Sequence, residues 1–206
     1  MIGTVRKIMN FKLLITSAFI LMSAAVCVAQ VPAKTSELTI ADREAWQKVL
    51  QWPATLEEQW RRSRTSNERD QSGLVFYGLG RGNYLVQIEV HESAYQPRYL
   101  FMYFSESSKA PARMLKLKTY EGDDDDVNKI STKLVEEVEG VPSFDETRKQ
   151  LVFHTKGRGT GDCGSLVRYT ITPARAIPAE ARVHACFDDY SLGITDPLRW
   201  RRVKRL

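Results

Sequence analysis

"GRGTGDCGSLVRYTI", Gly157 to Ile171, holds the one glycine cluster whose reading separates two folds. Its segment "GTGDCG", Gly159 to Gly164, matches G-x-G-x-x-G letter for letter. A dinucleotide site needs those glycines to open a helix, because helix N-terminal amides receive the pyrophosphate. The residues after Gly164 alternate instead, with Val167, Tyr169 and Ile171 on one face until Pro173 intervenes. A period of two is a strand. The stretch therefore predicts a tight corner feeding a sheet, and no cofactor is expected.

Within the corner, Gly157, Gly159, Gly161 and Gly164 are expected to let the backbone take positive φ or pass close to a neighbour, and Asp162 to accept hydrogen bonds from turn amides. Arg158 and Asp162 are then presented, with His154, Lys156 and Arg168 near them. On a later strand, "EARVHACFDD", Arg182 and His184 share the face of Cys186 by alternation.

Working outward, "NYLVQIEVH" reads as a half-buried strand, with Tyr84, Val86, Ile88 and Val90 inward and Gln87, Glu89 and His91 outward. "RYLFMYF" is apolar on both faces and predicts a central strand. "RMLKLKTY" sets Leu115 and Leu117 inward and Lys116 and Lys118 outward. Further strands are expected at "TKLVEEVE", "QLVFHTK", "SLVRYTIT", "ARVHACF" and "RWRRV". Turn signals between them give a mainly β, antiparallel sheet, barrel-like or sandwich domain of about eight or nine strands. A helical hairpin precedes it. "TIADREAWQKVLQW" carries Thr39 as N-cap with Asp42 three residues on, and Ala45, Trp46, Val49 and Leu50 at helical spacing, until Pro53. A second helix is expected from Thr55, with Glu58 three residues on, presenting Leu56 and Trp60 to the sheet.

The N-terminus predicts the compartment. Arg6, Lys7 and Lys12 precede the uncharged "LLITSAFILMSAAVCVA", which is the pattern of a secretory signal peptide with cleavage after Ala29. Lipidation at Cys27 and an uncleaved anchor are the alternatives. Loss of the first 29 residues, which carry three basic and no acidic side chains, lowers the formal net charge from +5 to +2. A nucleic-acid partner is therefore not expected. The expected organisation is a signal peptide at 1–29, a linker at 30–38 and a single domain at 39–206 with its helices at 39–62, acting as a monomer without a membrane span. Of the three cysteines, Cys163 and Cys186 remain. In an oxidising compartment they are expected to bond, restricting the unfolded chain by roughly 3 to 4 kcal/mol. Two buried thiols that never meet are the alternative.

The run from the strand before "GRGTGDCGSLVRYTI", through the second cysteine in "EARVHACFDD", to the terminal "WRRV" resembles the exported bacterial proteins grouped as domain of unknown function 1176. The likeness spans roughly Leu151 to Val203, and G-x-G-D-C-G is its core. It implies a bacterial envelope protein, periplasmic or secreted, and supplies no catalytic residue.

Catalysis and metal binding find little purchase. A thiol nucleophile needs a base such as His154 or His184 in reach, and a disulfide removes it. Ser165 leads into a strand, not into the helix of a nucleophile elbow. "GDDDDV" lacks the alternating spacing of a calcium loop and predicts a solvated turn. "RWRRVKRL" reads as a charged edge strand anchored by Trp200, or as a patch for an anionic polymer. The leading expectation is a non-enzymatic module that binds an envelope macromolecule or wall component, inhibitor-like, through Arg158, Asp162, His154, Arg168 and His184. The alternative is an envelope hydrolase using Asp162 and His154.

Overall fold

The computed structural model describes residues 38–64, 71–93, 95–109, 112–123, 126, 129–186, 194–204 and 206. The predicted signal peptide and residues 30–37 of the predicted linker lie outside them, while Leu38, its last residue, is buried with the helical core. All described residues belong to the unit Val31–Leu206.

Helix α1, Ile40–Leu50, opens on the expected capping box: the Asp42 amide donates to Thr39 Oγ1 at 3.3 Å, and the Thr39 amide donates to the Asp42 carboxylate at 2.8 Å. It closes at Gln51, which turns left-handed at φ 61°, two residues before Pro53. Helix α2, Ala54–Ser63, departs from expectation at its start. Pro53 stands at the N-cap position and no side chain caps the helix, so the cap expected from Thr55 and Glu58 does not form. Proline's fixed φ already suits a helix entry. Glu58 instead pairs with Arg62 one turn on.

Among the described residues twelve strands come after the hairpin, all paired antiparallel. The first sheet holds β1 (Leu74–Gly80), β2 (Asn83–His91), β3 (Arg98–Ser105) and β4 (Arg113–Leu115) in that order, with β7 (Glu137–Glu139) also on β3. The second runs β12 (Arg201–Arg202), β11 (Ala176–His184), β10 (Gly164–Ile171), β9 (Gln150–Lys156) and β8 (Val141–Asp145). Strands β5 (Leu117–Gly122) and β6 (Ile130–Val135) form a two-stranded ribbon. The described strands do not close into a barrel, so the sandwich form of the expectation is the one realised.

Two cores hold these layers. Trp46, Leu50 and Leu56 of the helices meet Val86, Ile88, Val90, Leu100 and Met102 on one face of the first sheet. Leu85 and Phe101, on its other face, meet Leu151, Phe153, Val167, Tyr169 and Val183 of the second. Strand β2 is thus buried on both faces, and the expectation of a solvated face is corrected: Leu85 and Gln87 are 0% and 7% exposed. Gln87 is tolerated there because its Oε1 accepts from the Tyr77 hydroxyl at 2.8 Å. The ribbon packs on β10 and β11, and Gly122 lies so close to Val183 and Ala185 that a Cβ would sit 3.1 to 3.3 Å from them.

A buried ion pair locks the hairpin to the first sheet. Arg43, fully buried on α1, donates to Glu57 of α2 at 2.8 Å and to the carbonyls of Ser72 and Glu89. Its guanidinium lies 3.7 Å from the ring centre of Trp60. Burial pulls the guanidinium down to about 10, against the opposing pull of Glu57, so it stays charged at neutral pH.

Candidate functional site

The corner between β9 and β10 is built from three constraints. The first is covalent: Cys163 and Cys186 are bonded, with Cα atoms 4.9 Å apart. The second is glycine. Gly164 sits at φ 132°, and a Cβ there would lie 2.0 Å from the Thr155 carbonyl oxygen, so only hydrogen fits. Gly157 has an ordinary φ but lies under the disulfide, 2.5 Å from Cys186 Sγ for a built Cβ. Gly161 takes φ 68° and closes a turn by donating its amide to the Arg158 carbonyl. Gly159 departs from expectation. Its φ is not positive and a Cβ would meet nothing closer than the Tyr95 ring at 3.6 Å, so the conformation does not require glycine.

The third constraint is a charge-assisted fork. Arg158 Nε donates to Asp162 Oδ1 at 2.8 Å and Nη2 to Oδ2 at 2.6 Å, while the Thr160 hydroxyl donates to Oδ1. These bonds, led by those from Arg158 and Thr160, hold the Asp162 carboxyl well below the usual carboxylate range. Asp162 is 9% exposed, so it braces the corner from within and is not presented on it. Asp162 fills the acceptor role expected of it, with the side chains of Arg158 and Thr160 as donors where turn amides were expected.

His154 and His184 stand on the outer face of the second sheet, both against Trp200, with ring centres 5.4 and 5.9 Å away. Trp200 is 3% exposed and donates Nε1 to the Ile194 carbonyl, so the C-terminal segment is pinned over this face as expected. Beyond it, exposed Arg201 and Arg202 form the edge strand β12. His184 Nδ1 bonds the Asp162 carbonyl, tying β11 to the corner a second time. His154 Nε2 is buried with no partner among the described residues, and burial, aided by the Lys156 charge, lowers its basicity. Arg168 is not brought to the corner: it sits mid-strand, paired with Glu180 at 3.5 Å. Of the five expected contact residues, Arg158, Asp162 and His184 converge directly, and His154 joins them only through Trp200.

Sequence reasoning missed two neighbours from the segment between β2 and β3. Gln96, 3% exposed, acts as a surrogate strand: its Nε2 donates to the Lys156 carbonyl at 2.8 Å, and its Oε1 accepts the Lys156 amide at 2.7 Å. Tyr95, 44% exposed, lies beside Gly159. Nothing in "ESAYQPR" marks either role, since both arise from contacts some 60 residues apart in the chain. A half-open cleft of about 590 Å³ lies between the corner and the β5–β6 ribbon, with Gly157, Gly164 and Cys186 on one wall and Tyr120, Gly122 and Val135 on the other. Among the described residues no cluster of three acidic, histidine or cysteine side chains could hold a metal ion.

A three-layered, antiparallel β protein with a disulfide-clasped glycine corner is the class these features define. The chain belongs to the family described as Protein of unknown function (DUF1176), whose model matches residues 21–202. The likeness read from Leu151 to Val203 therefore extends through the first sheet and the helical hairpin. No curated protein and no solved structure matches the chain.

Proposed function

We propose that this protein is an exported, non-enzymatic binding module that meets an envelope macromolecule or wall component through the clasped corner. The observation that carries the reading is the rigidity of that corner: the disulfide, the Arg158–Asp162 fork and the Gln96 clamp fix the backbone before any partner arrives. A preformed surface loses little conformational entropy on docking. The presented tip consists of Arg158, Gly159 and Thr160, with Tyr95 beside them, an aromatic and an arginine of the kind that dominate binding interfaces. An inhibitor-like insertion of this tip into a partner's cleft is one form of the reading.

Export rests on the sequence of residues 1–29 and accords with the disulfide, which persists in oxidising compartments. No described helix is long and apolar enough to cross a membrane. The domain at 39–206 is proposed to act as a monomer, periplasmic or secreted, without nucleic acid. The hydrolase alternative gains nothing from the geometry, because both Asp162 oxygens are occupied and the unpartnered nitrogen of His154 is buried.

The test is affinity capture from envelope extract with the disulfide-bonded protein, beside Tyr95→Ala and Arg158→Ala. The reading expects a discrete partner, retained at least about tenfold less by Tyr95→Ala while that variant keeps its urea midpoint. Equal retention by all three proteins, or none by any, contradicts it.

A further inference from the structure

Charge is not evenly spread along the chain. Residues 199–206, "RWRRVKRL", hold five basic and no acidic side chains, whereas residues 30–198 hold 22 basic and 25 acidic ones. A formal charge of +5 on eight residues therefore stands against −3 on the rest of the expected mature chain. The stretch is also firmly mounted. Trp200 is buried, the Val203 amide donates to the Ala181 carbonyl at 2.9 Å, and the Arg182 guanidinium donates to the carbonyls of Leu198 and Trp200. Held in this way, Arg199, Arg201, Arg202 and Lys204 are all exposed.

Acids close by in the fold are engaged elsewhere. Asp196 accepts the Leu198 amide at 2.9 Å, and Glu180 pairs with Arg168 and Arg182. Arg199, Arg202 and Lys204 make no ion pair among the described residues. Because β12 is the edge of its sheet, its register sets Arg202 beside Arg182 on the outer face and Arg201 beside Val183 on the inner one. The rim is cationic on both sides. One or two charges suffice to stop edge-to-edge pairing of strands. Edge protection therefore accounts neither for the further cations nor for the two leucines that bracket them, Leu198 at 53% and Leu206 at 46% exposed.

We propose that this rim docks on an anionic phospholipid surface, with Arg199, Arg202 and Lys204 at the phosphates and Leu198 and Leu206 at the boundary between headgroups and acyl chains. Basic side chains near such a surface each add to binding through charge, and exposed apolar side chains add what charge alone does not supply. The leucines decide between two kinds of anionic partner. A soluble polyanion offers them no apolar layer, and a bilayer does. The protein then lies on the membrane without crossing it, which suits a structure in which no described helix is long and apolar enough to span one. The inference stands apart from the docking proposed for the corner tip.

The test is co-sedimentation of the exported, disulfide-bonded protein with vesicles of phosphatidylcholine carrying phosphatidylglycerol, at about 0.1 M salt. Pure phosphatidylcholine vesicles and soluble polyphosphate are the comparisons. Expected is saturable binding to the anionic vesicles, at least about tenfold weaker to the neutral ones and falling steeply as salt rises. Arg199→Gln, Arg202→Gln and Lys204→Gln combined are expected to weaken it about a hundredfold, roughly fivefold for each charge removed. Leu198→Ser is expected to weaken it several-fold while leaving any binding of polyphosphate unchanged. These side chains are exposed, so urea midpoints are expected to hold in both variants. Equal binding to neutral and anionic vesicles, binding to neither, or unchanged vesicle affinity in Leu198→Ser overturns the inference, the last in favour of a soluble polyanion. Tyr95→Ala is expected to leave vesicle binding unchanged, so loss of macromolecular capture and loss of this surface read out separately.

Discussion

Arg158 and Asp162 face each other across one turn of the corner and join through two parallel hydrogen bonds, 2.8 and 2.6 Å long. A planar guanidinium and a carboxylate joined by two parallel bonds hold each other in one orientation, so the pair fixes the turn's shape as well as its charge. The fork is held beside the disulfide, and the two act on the same eight-residue corner.

The fork makes stability pH-dependent. The folded carboxyl of Asp162 titrates below its ordinary value of 3.8, so its contribution is complete above that value and fades as pH falls toward the lower folded one. Asp162→Asn is therefore expected to lower the urea midpoint at pH 7, with the difference from wild type shrinking steadily below about pH 4. A difference that stays constant with pH contradicts this account.

His154 acts at higher pH. Its folded form titrates below the ordinary 6.5, so the unfolded chain takes up the proton first and stability falls as pH drops through that value toward the lower folded one. Denaturation midpoints from pH 8 to 5 are expected to fall less in His154→Gln than in wild type.

The glycines separate by cause. Gly164→Ala meets both a forbidden φ and a backbone oxygen, and Gly157→Ala meets the disulfide sulfurs, so each is expected to cost about 2 kcal/mol or more. Gly159→Ala is expected to be neutral or to stabilise by up to about 1 kcal/mol, by restricting the unfolded chain. Urea midpoints of the three variants check this directly.

Arg43 is the severest single change expected in the helical layer. Arg43→Met leaves Glu57 as a buried carboxylate held by Trp52 Nε1 and the longer contact from Arg61, at a cost of about 3 to 5 kcal/mol. Pairing it with Glu57→Gln is expected to recover a large part of the loss, which a double-mutant cycle measures.

The pattern of legibility tracks the range of the interactions. Local pattern identifies both β10 and β3, the first by its alternation and the second by an apolar run that matches a strand covered on both faces. The capping box of α1 is legible because its partners are three residues apart. Two short strands go unread. "LVFYGLG" (β1) is broken by Gly78 and Gly80, and "VPSFD" (β8) carries Pro142; both lie at sheet edges, where such residues are tolerated. "RMLKLKTY" and "TKLVEEVE" each divide into two strands because the chain leaves one sheet for the ribbon between them. At the corner, the disulfide is legible from cysteine parity, whereas the Gln96 clamp and the burial of Asp162 depend on tertiary contacts that no local pattern carries. Arg168 is misplaced for a simpler reason: it shares the outward face, but three residues of extended strand stand between it and Gly164.

The disulfide is expected to contribute about 3 kcal/mol for a sequence separation of 23 residues on the chain-entropy model. Cys163→Ser with Cys186→Ser is therefore expected to lower the urea midpoint with little change in slope.

Amide hydrogen exchange in the oxidised, ligand-free protein tests most directly whether the corner is formed before any partner binds. Gly157 donates its amide to the Cys163 carbonyl at 2.9 Å, inside the clasp. A preformed corner predicts exchange there at least about a hundredfold slower than in an unstructured chain, with the protection falling on reduction of the disulfide. Exchange of the Gly157 amide at the unstructured rate while the disulfide is intact would contradict it.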